Sequence, residues 1–288
     1  MNRFFAALSP THWALFLLGL AMLTYAILPA TQEDAREQAS PSSRSNSITS
    51  GQTTADQNLS VPQIDSGQVI RYEGKLDKEK TGAGNIKWPD RRFYEGSMVS
   101  GLPHGKGHML FPDGRRYSGQ FDYGKMHGKG EIHWPDGSFY NGEFIKNIAA
   151  GQGNYTAANG DRFAGTFIDE KPHGYGSLAK INGDIYEGEI RHGVIEGRGT
   201  LTFADGTLYK GEFLRGKPHG QGIASRPDGS VYKGRWEDGV HHGAGEVTFK
   251  NGDMVSGIFK QGQMHGVGTC TGNGIESPCT FFNGERLN

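Results

Sequence analysis

The chain has 288 residues, a formal net charge of -1 and a mean hydropathy of -0.58, so it lacks the cationic excess of a nucleic-acid binder. Its 46 glycines accompany only 12 prolines and do not fall at every third position, which excludes collagen. The 16 Phe, 11 Tyr and 4 Trp argue against wholesale disorder.

Only Gly19, Gly51 and Gly67 precede residue 72, so the chain divides into an N-terminal section and a glycine-aromatic section. Residues 1–12 read as a short cytoplasmic N-terminus. Residues 13–30 carry no charge, and as a helix they would span about 27 Å, close to the ~30 Å hydrocarbon layer. They are expected to form a transmembrane signal anchor; the alternative is a cleaved signal peptide and a secreted product. Arg3 precedes the span, whereas Glu33, Asp34 and Glu37 follow it around Arg36. The positive-inside rule then places the N-terminus in the cytoplasm and the remainder on the exoplasmic side, the periplasm if the cell is bacterial. Residues 31–71 are rich in Ser, Thr and Gln and nearly free of aromatics, the composition of a disordered tether with a reach of about 35 Å.

From Tyr72 the sequence aligns with itself. Units open at Tyr72, Tyr94, Tyr117, Tyr140, Phe163, Tyr186, Tyr209, Tyr232 and Val255, in steps of 23 after a first step of 22. Such a period marks a tandem array of one supersecondary unit. Each unit begins with alternation of period two, as in Tyr117/Gly119/Phe121 and Tyr209/Gly211/Phe213, which predicts a strand with one apolar face. A glycine turn follows, then His-Gly-x-Gly and a second alternating run. Pro135-Asp136-Gly137, Pro227-Asp228-Gly229 and Asn251-Gly252 supply turns that need positive φ. One unit is therefore one antiparallel hairpin. Nine units predict an all-β, elongated single-layer meander of 18 strands over residues 72–277, about 85 Å long at ~4.8 Å per strand. Residues 278–288 read as a C-terminal cap. Glycine inside a strand weakens it unless something approaches closely or the sheet bends. The tyrosine and phenylalanine rings are accordingly expected to lie over glycines of neighbouring strands and to replace a second layer.

This pattern, YxGxxxxGxxHGxGxxxxxDG, resembles the MORN repeat (membrane occupation and recognition nexus). It is carried by Tyr94, Gly96, His104, Gly105 and Gly107, by Tyr117, Gly119, His127, Gly128 and Gly130, and by Tyr209, Gly211, His219, Gly220 and Gly222. Asn147, Ala150, Glu170 and Glu196 depart from it, as does Thr81 before the first glycine pair. MORN arrays in some families precede a lipid-kinase or methyltransferase domain; here about 14 residues follow the last unit, and no catalytic domain is expected. No catalytic, metal or cofactor residues are assigned, and no small-molecule substrate or nucleic acid is expected. The histidines at one phase, from His104 to His265, would stand about 9.6 Å apart in adjacent units, too far for imidazoles sharing a zinc ion, whose nitrogens lie within ~4 Å. They are expected to bond turn backbone instead. His108, His133, His192 and His241 lie outside the phase and receive no role.

The apolar span, together with an extended sheet offering aromatic surface and exposed strand edges, points to a membrane-anchored, non-enzymatic scaffold that engages an unidentified protein partner or a second copy of itself. Its alternative is recognition of anionic lipid of the phosphoinositide type, for which Lys210, Lys233 and Arg235 form the one local concentration of cations in the opening strands. Cys270 and Cys279 could close a disulfide that caps the array; the alternative is two free thiols.

Overall fold

The computed structural model describes residues 70–287. The apolar span at 13–30, its orientation and the tether up to residue 69 lie outside the described residues. Among the described residues there are twenty strands and no helix, and accordingly no helix long and apolar enough to cross a membrane. They divide into two compact units, one ending at Ala150 and the other beginning at Gly151.

The first unit contains β1 (Arg71–Leu76), β2 (Gly82–Lys87), β3 (Phe93–Val99), β4 (Leu102–Leu110), β5 (Arg116–Asp122), β6 (Lys125–His133) and β7 (Phe139–Ile145). Each pairs antiparallel with the next in sequence. The boundary falls within β8 (Ile148–Thr156).

The second unit continues through β9 (Arg162–Ile168), β10 (Lys171–Ala179), β11 (Ile185–Arg191), β12 (Val194–Thr202), β13 (Leu208–Leu214) and β14 (Lys217–Ser225). It finishes with β15 (Val231–Glu237), β16 (Val240–Thr248), β17 (Met254–Lys260), β18 (Gln263–Gly272), β19 (Ile275–Phe282) and the two-residue β20 (Glu285–Arg286). Here too each strand pairs antiparallel with its sequence neighbour.

The count exceeds the expected 18 strands because residues beyond Gly272 add one more opening strand and the start of its return. In β19 the register Gly266↔Phe281 and Gly268↔Cys279 repeats Gly243↔Phe259 and Gly245↔Gly257. Ser277, Cys279 and Phe281 thus stand at the aromatic, glycine and second aromatic phases. They sit 22 rather than 23 residues after Val255, Gly257 and Phe259, and the aromatic itself is missing. The repeat pattern, read in steps of 23, therefore ends the array inside this strand.

The glycines form a row across each unit. In the first it runs Gly84, Gly96, Gly107, Gly119, Gly130, Gly142, each in register with the next. In the second it runs from Gly153 through Gly165, Gly176, Gly188, Gly199, Gly211, Gly222, Gly234 and Gly245 to Gly257. The opening rings lie over that row. A Cβ on Gly222 would stand 2.5 Å from Cε2 and Oη of Tyr209, and one on Gly199 would stand 2.5 Å from Cε2 of Tyr186. Rings and glycines are thus mutually required, and Tyr94, Tyr117, Tyr186 and Tyr209 are buried on a single sheet. Edge-to-face contacts link them: Tyr117 meets Phe121 at 5.0 Å and Phe144 at 5.1 Å, while Tyr209 meets Phe213 at 5.1 Å and Trp236 at 4.9 Å.

The two glycines of each His-Gly-x-Gly do different work. The second lies beneath the ring wherever the unit opens on an aromatic. The first sits in a β-bulge with positive φ: Gly105 at 72°, Gly128 at 66° and Gly220 at 62°. At the first of these bulges Ser97 faces the three residues His104–Lys106 across the hairpin. Ser97, Gln120, Glu189 and Arg235 have no register partner on the bulged strand. The carbonyl of each accepts a hydrogen bond from the tyrosine three residues earlier: Tyr94 at 2.5 Å, and Tyr117, Tyr186 and Tyr232 at 2.8 Å.

Candidate protein-binding surface

The side of the sheet opposite the rings is built from the residues between the apolar phases, and register sorts them into rows. One row in the second unit consists of Gln152/Thr166, Tyr175/Glu189, Arg198/Glu212, Gln221/Arg235, Ala244/Ile258 and Val267/Thr280. The next contains Thr200/Lys210, Ile223/Lys233, Glu246/Ser256 and Thr269/Pro278. Both rows change character along the array. From β11 to β15 they carry charges of both signs, with Thr200, Gln221 and Ile223 among them. From β16 to β19 they present Ala244, Ile258, Val267, Thr269 and Pro278 with Glu246 as the charged member; Ile258 is 45% exposed and Val267 71%.

The three proposed lipid-contact residues share this face without forming a cluster of cations. Lys210 and Lys233 flank Ile223 in one row, Lys233 is also in register with Glu246, and Arg235 faces Gln221.

The histidine row meets side chains more than backbone. His104 lies 3.5 Å from the Asp122 carboxylate and 4.9 Å from the Tyr123 ring, and His242 lies 3.0 Å from Glu237. His173 packs 4.8 Å from His192 and accepts that residue's N–H at 3.5 Å, a contact of the expected backbone kind. His265 lies 5.6 Å from Phe282, His127 is exposed, and His219 is in register with Glu212. Among the described residues no three His, Cys, Asp or Glu side chains gather as a metal-ligand set.

Two ties join successive repeats at opposite turn edges. At one edge a turn N–H donates to a carbonyl one repeat earlier: Gly124 to Pro103, Gly193 to Pro172 and Gly239 to Pro218, all at 2.8–2.9 Å. At the other, buried Asp161 accepts from Ile181 N–H at 2.9 Å and Lys180 Nζ at 2.9 Å, and Asp184 accepts from Ala204 N–H at 2.9 Å. Burial pushes the Asp161 carboxyl up, but the Ile181 N–H, Lys180 and Asn159 outweigh it and hold the acid below its ordinary value.

Where the tyrosines stop, other groups fill the space. Val255 takes the aromatic phase of its unit, and the Met264 methyl covers Gly257 and Gly268. One strand later Cys270 and Cys279, both buried, are joined by a disulfide with Cα atoms 5.8 Å apart. His241, given no role by phase, is the buried residue that sequence reading missed. It takes a core position held elsewhere by Pro103, Met126, Ala149, Pro172, Ile195, Pro218 and Met264. Aligning the second strands of the repeats on that phase would have exposed it.

Tandem hairpins, a glycine row and a ring over each glycine pair define a repeat protein built from one 23-residue module. The MORN repeat model matches eight successive segments, at 94–115, 117–139, 140–162, 163–185, 186–208, 209–231, 232–254 and 256–274. The chain belongs to the MORN-repeat family. The hairpin β1–β2, read from sequence as a ninth copy, lies outside those matches although it is folded. Comparison with curated sequences finds no significant match. Among solved structures, the TCP domain of SAS-4 from Drosophila melanogaster, in complex with a proline-rich motif of Ana2, is 13% identical. That match covers 54% of this chain and 85% of that one, with a TM-score of 0.35. The TCP10 domain of Danio rerio CPAP, in complex with a STIL peptide, is 16% identical and covers 66% and 93%, with a TM-score of 0.27. Virginiamycin B lyase from Staphylococcus aureus is 12% identical and covers 74% of each chain, with a TM-score of 0.14.

Proposed function

We propose that the protein is a non-enzymatic scaffold, tethered to a membrane through residues 13–30, whose repeat sheet binds a protein partner or a second copy of itself. The observation that carries the binding reading is the change along the ring-free face. Charges of both signs stand on it from β11 to β15, and from β16 to β19 an exposed aliphatic and hydroxyl surface takes over, with Glu246 as its charged member. Solvated faces are charged and mixed; contiguous exposed aliphatics mark contact surfaces. The lipid alternative rests on Lys210, Lys233 and Arg235; Ile223 and Glu246 break the row of the two lysines, and Arg235 stands in the next row opposite Gln221, whereas anionic headgroups call for clustered cations.

A photo-crosslinking residue placed at Val267 of the full-length protein in its own cell should give discrete protein adducts. The same probe at Glu187, on the charged part of the face, should give none, and Ile258→Lys should abolish the adducts at 267. Co-sedimentation with phosphatidylserine vesicles tests the alternative. Salt-sensitive binding that disappears when Lys210, Lys233 and Arg235 are all changed to Glu, with no protein adduct at 267, would replace the protein-binding reading with the lipid one.

A further inference from the structure

His241 is enclosed by rings of the adjacent strands. It stacks on Tyr232 at 3.6 Å and 10°, meets Trp236 edge-on at 4.5 Å and lies 5.7 Å from Phe259. It is 3% exposed, and its Nδ1 is buried with no hydrogen-bond partner. No counter-charge reaches it. From the turn before β15, Arg226 acts on it with the same sign. From β15 the titratable group facing it is the Tyr232 hydroxyl, which donates to the Arg235 carbonyl. Glu237 points away and pairs with His242. From β17 it meets Phe259, and from the following turn Gly262 N–H donates to its backbone carbonyl.

We propose that His241 makes hairpin β15–β16 a proton-triggered weak point of the array. An imidazolium formed there puts a proton on a buried Nδ1 that has no acceptor, and no anion offsets its charge, so proton uptake opens β16 from β15 and β17 while other hairpins stay closed. Aromatic faces attract a cation, but that attraction is small beside the cost of a buried, unsolvated charge. Burial pushes the imidazole down from 6.5 to about 3, and Arg226 adds to the shift. The folded pKa lies below the unfolded one, so this contribution to stability is complete above pH 6.5. It declines as pH falls from there toward 3, where the unfolded state binds the extra proton.

The test is amide hydrogen exchange by mass spectrometry on the full chain at pH 7.5 and 5.0, corrected for intrinsic rates. Protection of peptides from 231–260 should fall about thirtyfold, the factor for one group that titrates near 6.5 only when the hairpin is open. Peptides from β9–β13 should change far less. His241→Met and His241→Ile place at this phase the residue types found at Met126 and Ile195, and either should abolish the local loss. An unchanged thirtyfold loss in those variants, or an equal loss across β9–β13, would overturn the proposal. So would an NMR midpoint near 6.5 for the His241 ring with the hairpin still protected.

Discussion

At the residue scale, Tyr209 shows how one side chain holds this fold. Its ring seals two glycines, and its buried hydroxyl donates at 2.8 Å to the Glu212 carbonyl beside the bulge. Burial raises the phenol pKa in every repeat with this arrangement, to about 12 at Tyr94, so these hydroxyls remain donors at neutral pH. Tyr209→Phe keeps the ring and loses one net hydrogen bond, about 1 kcal/mol. Phe163, which occupies the same position without a hydroxyl, offers the reverse experiment: Phe163→Tyr should stabilise by about 1 kcal/mol. Paired thermal or denaturant melts will read both signs. The ring over the glycine was legible because aromatic and glycine recur at fixed phases. The hydroxyl's acceptor was not, since it depends on a bulge whose register no spacing reveals. His241 escaped because a single histidine outside the repeated phase looks in sequence like the exposed His133.

At the element scale, the tight turns differ in how well their residues suit them. Both central residues have positive φ, as in Arg215 at 51° and Gly216 at 80°, a conformation that favours glycine at the second position. Asn147 at 76° and Glu170 at 66° stand at that position. The sequence flags both equally as departures, but the structure separates them. Asn147 tolerates the conformation, and its Oδ1 accepts the Met126 N–H at 2.8 Å. Glu170 lacks the short polar side chain that eases this conformation. Glu170→Gly should therefore raise stability by about 0.5–1 kcal/mol, whereas Asn147→Gly should be neutral or lower it. Chemical denaturation of the two variants will separate these outcomes. The same accounting explains Pro103, Pro172 and Pro218 inside strands. Met126 at their phase has an N–H that needs the Asn147 side chain, and proline has no N–H to satisfy.

At the scale of the whole molecule, hydrophobic burial is shared out in repeats rather than gathered into one centre. Stability in such arrays is a sum of local terms and nearest-neighbour couplings. The Cys270–Cys279 bridge lies where the aromatic series ends, so its contribution should be local. Replacing both cysteines with serine should cost about 2–3 kcal/mol. Hydrogen exchange should show the loss in β17–β19 and leave β9–β13 within error; uniform loss would mean that the repeats are coupled far beyond their neighbours. The repeat ties have a consequence for biosynthesis. Gly239 N–H reaches the Pro218 carbonyl and Ile181 N–H reaches Asp161, each only about one module back along the chain. A ribosome translating this message need release just one additional module for the preceding hairpin to find its partner. The nascent polypeptide can therefore add folded modules in the order it emerges, with little unprotected strand waiting for a distant segment.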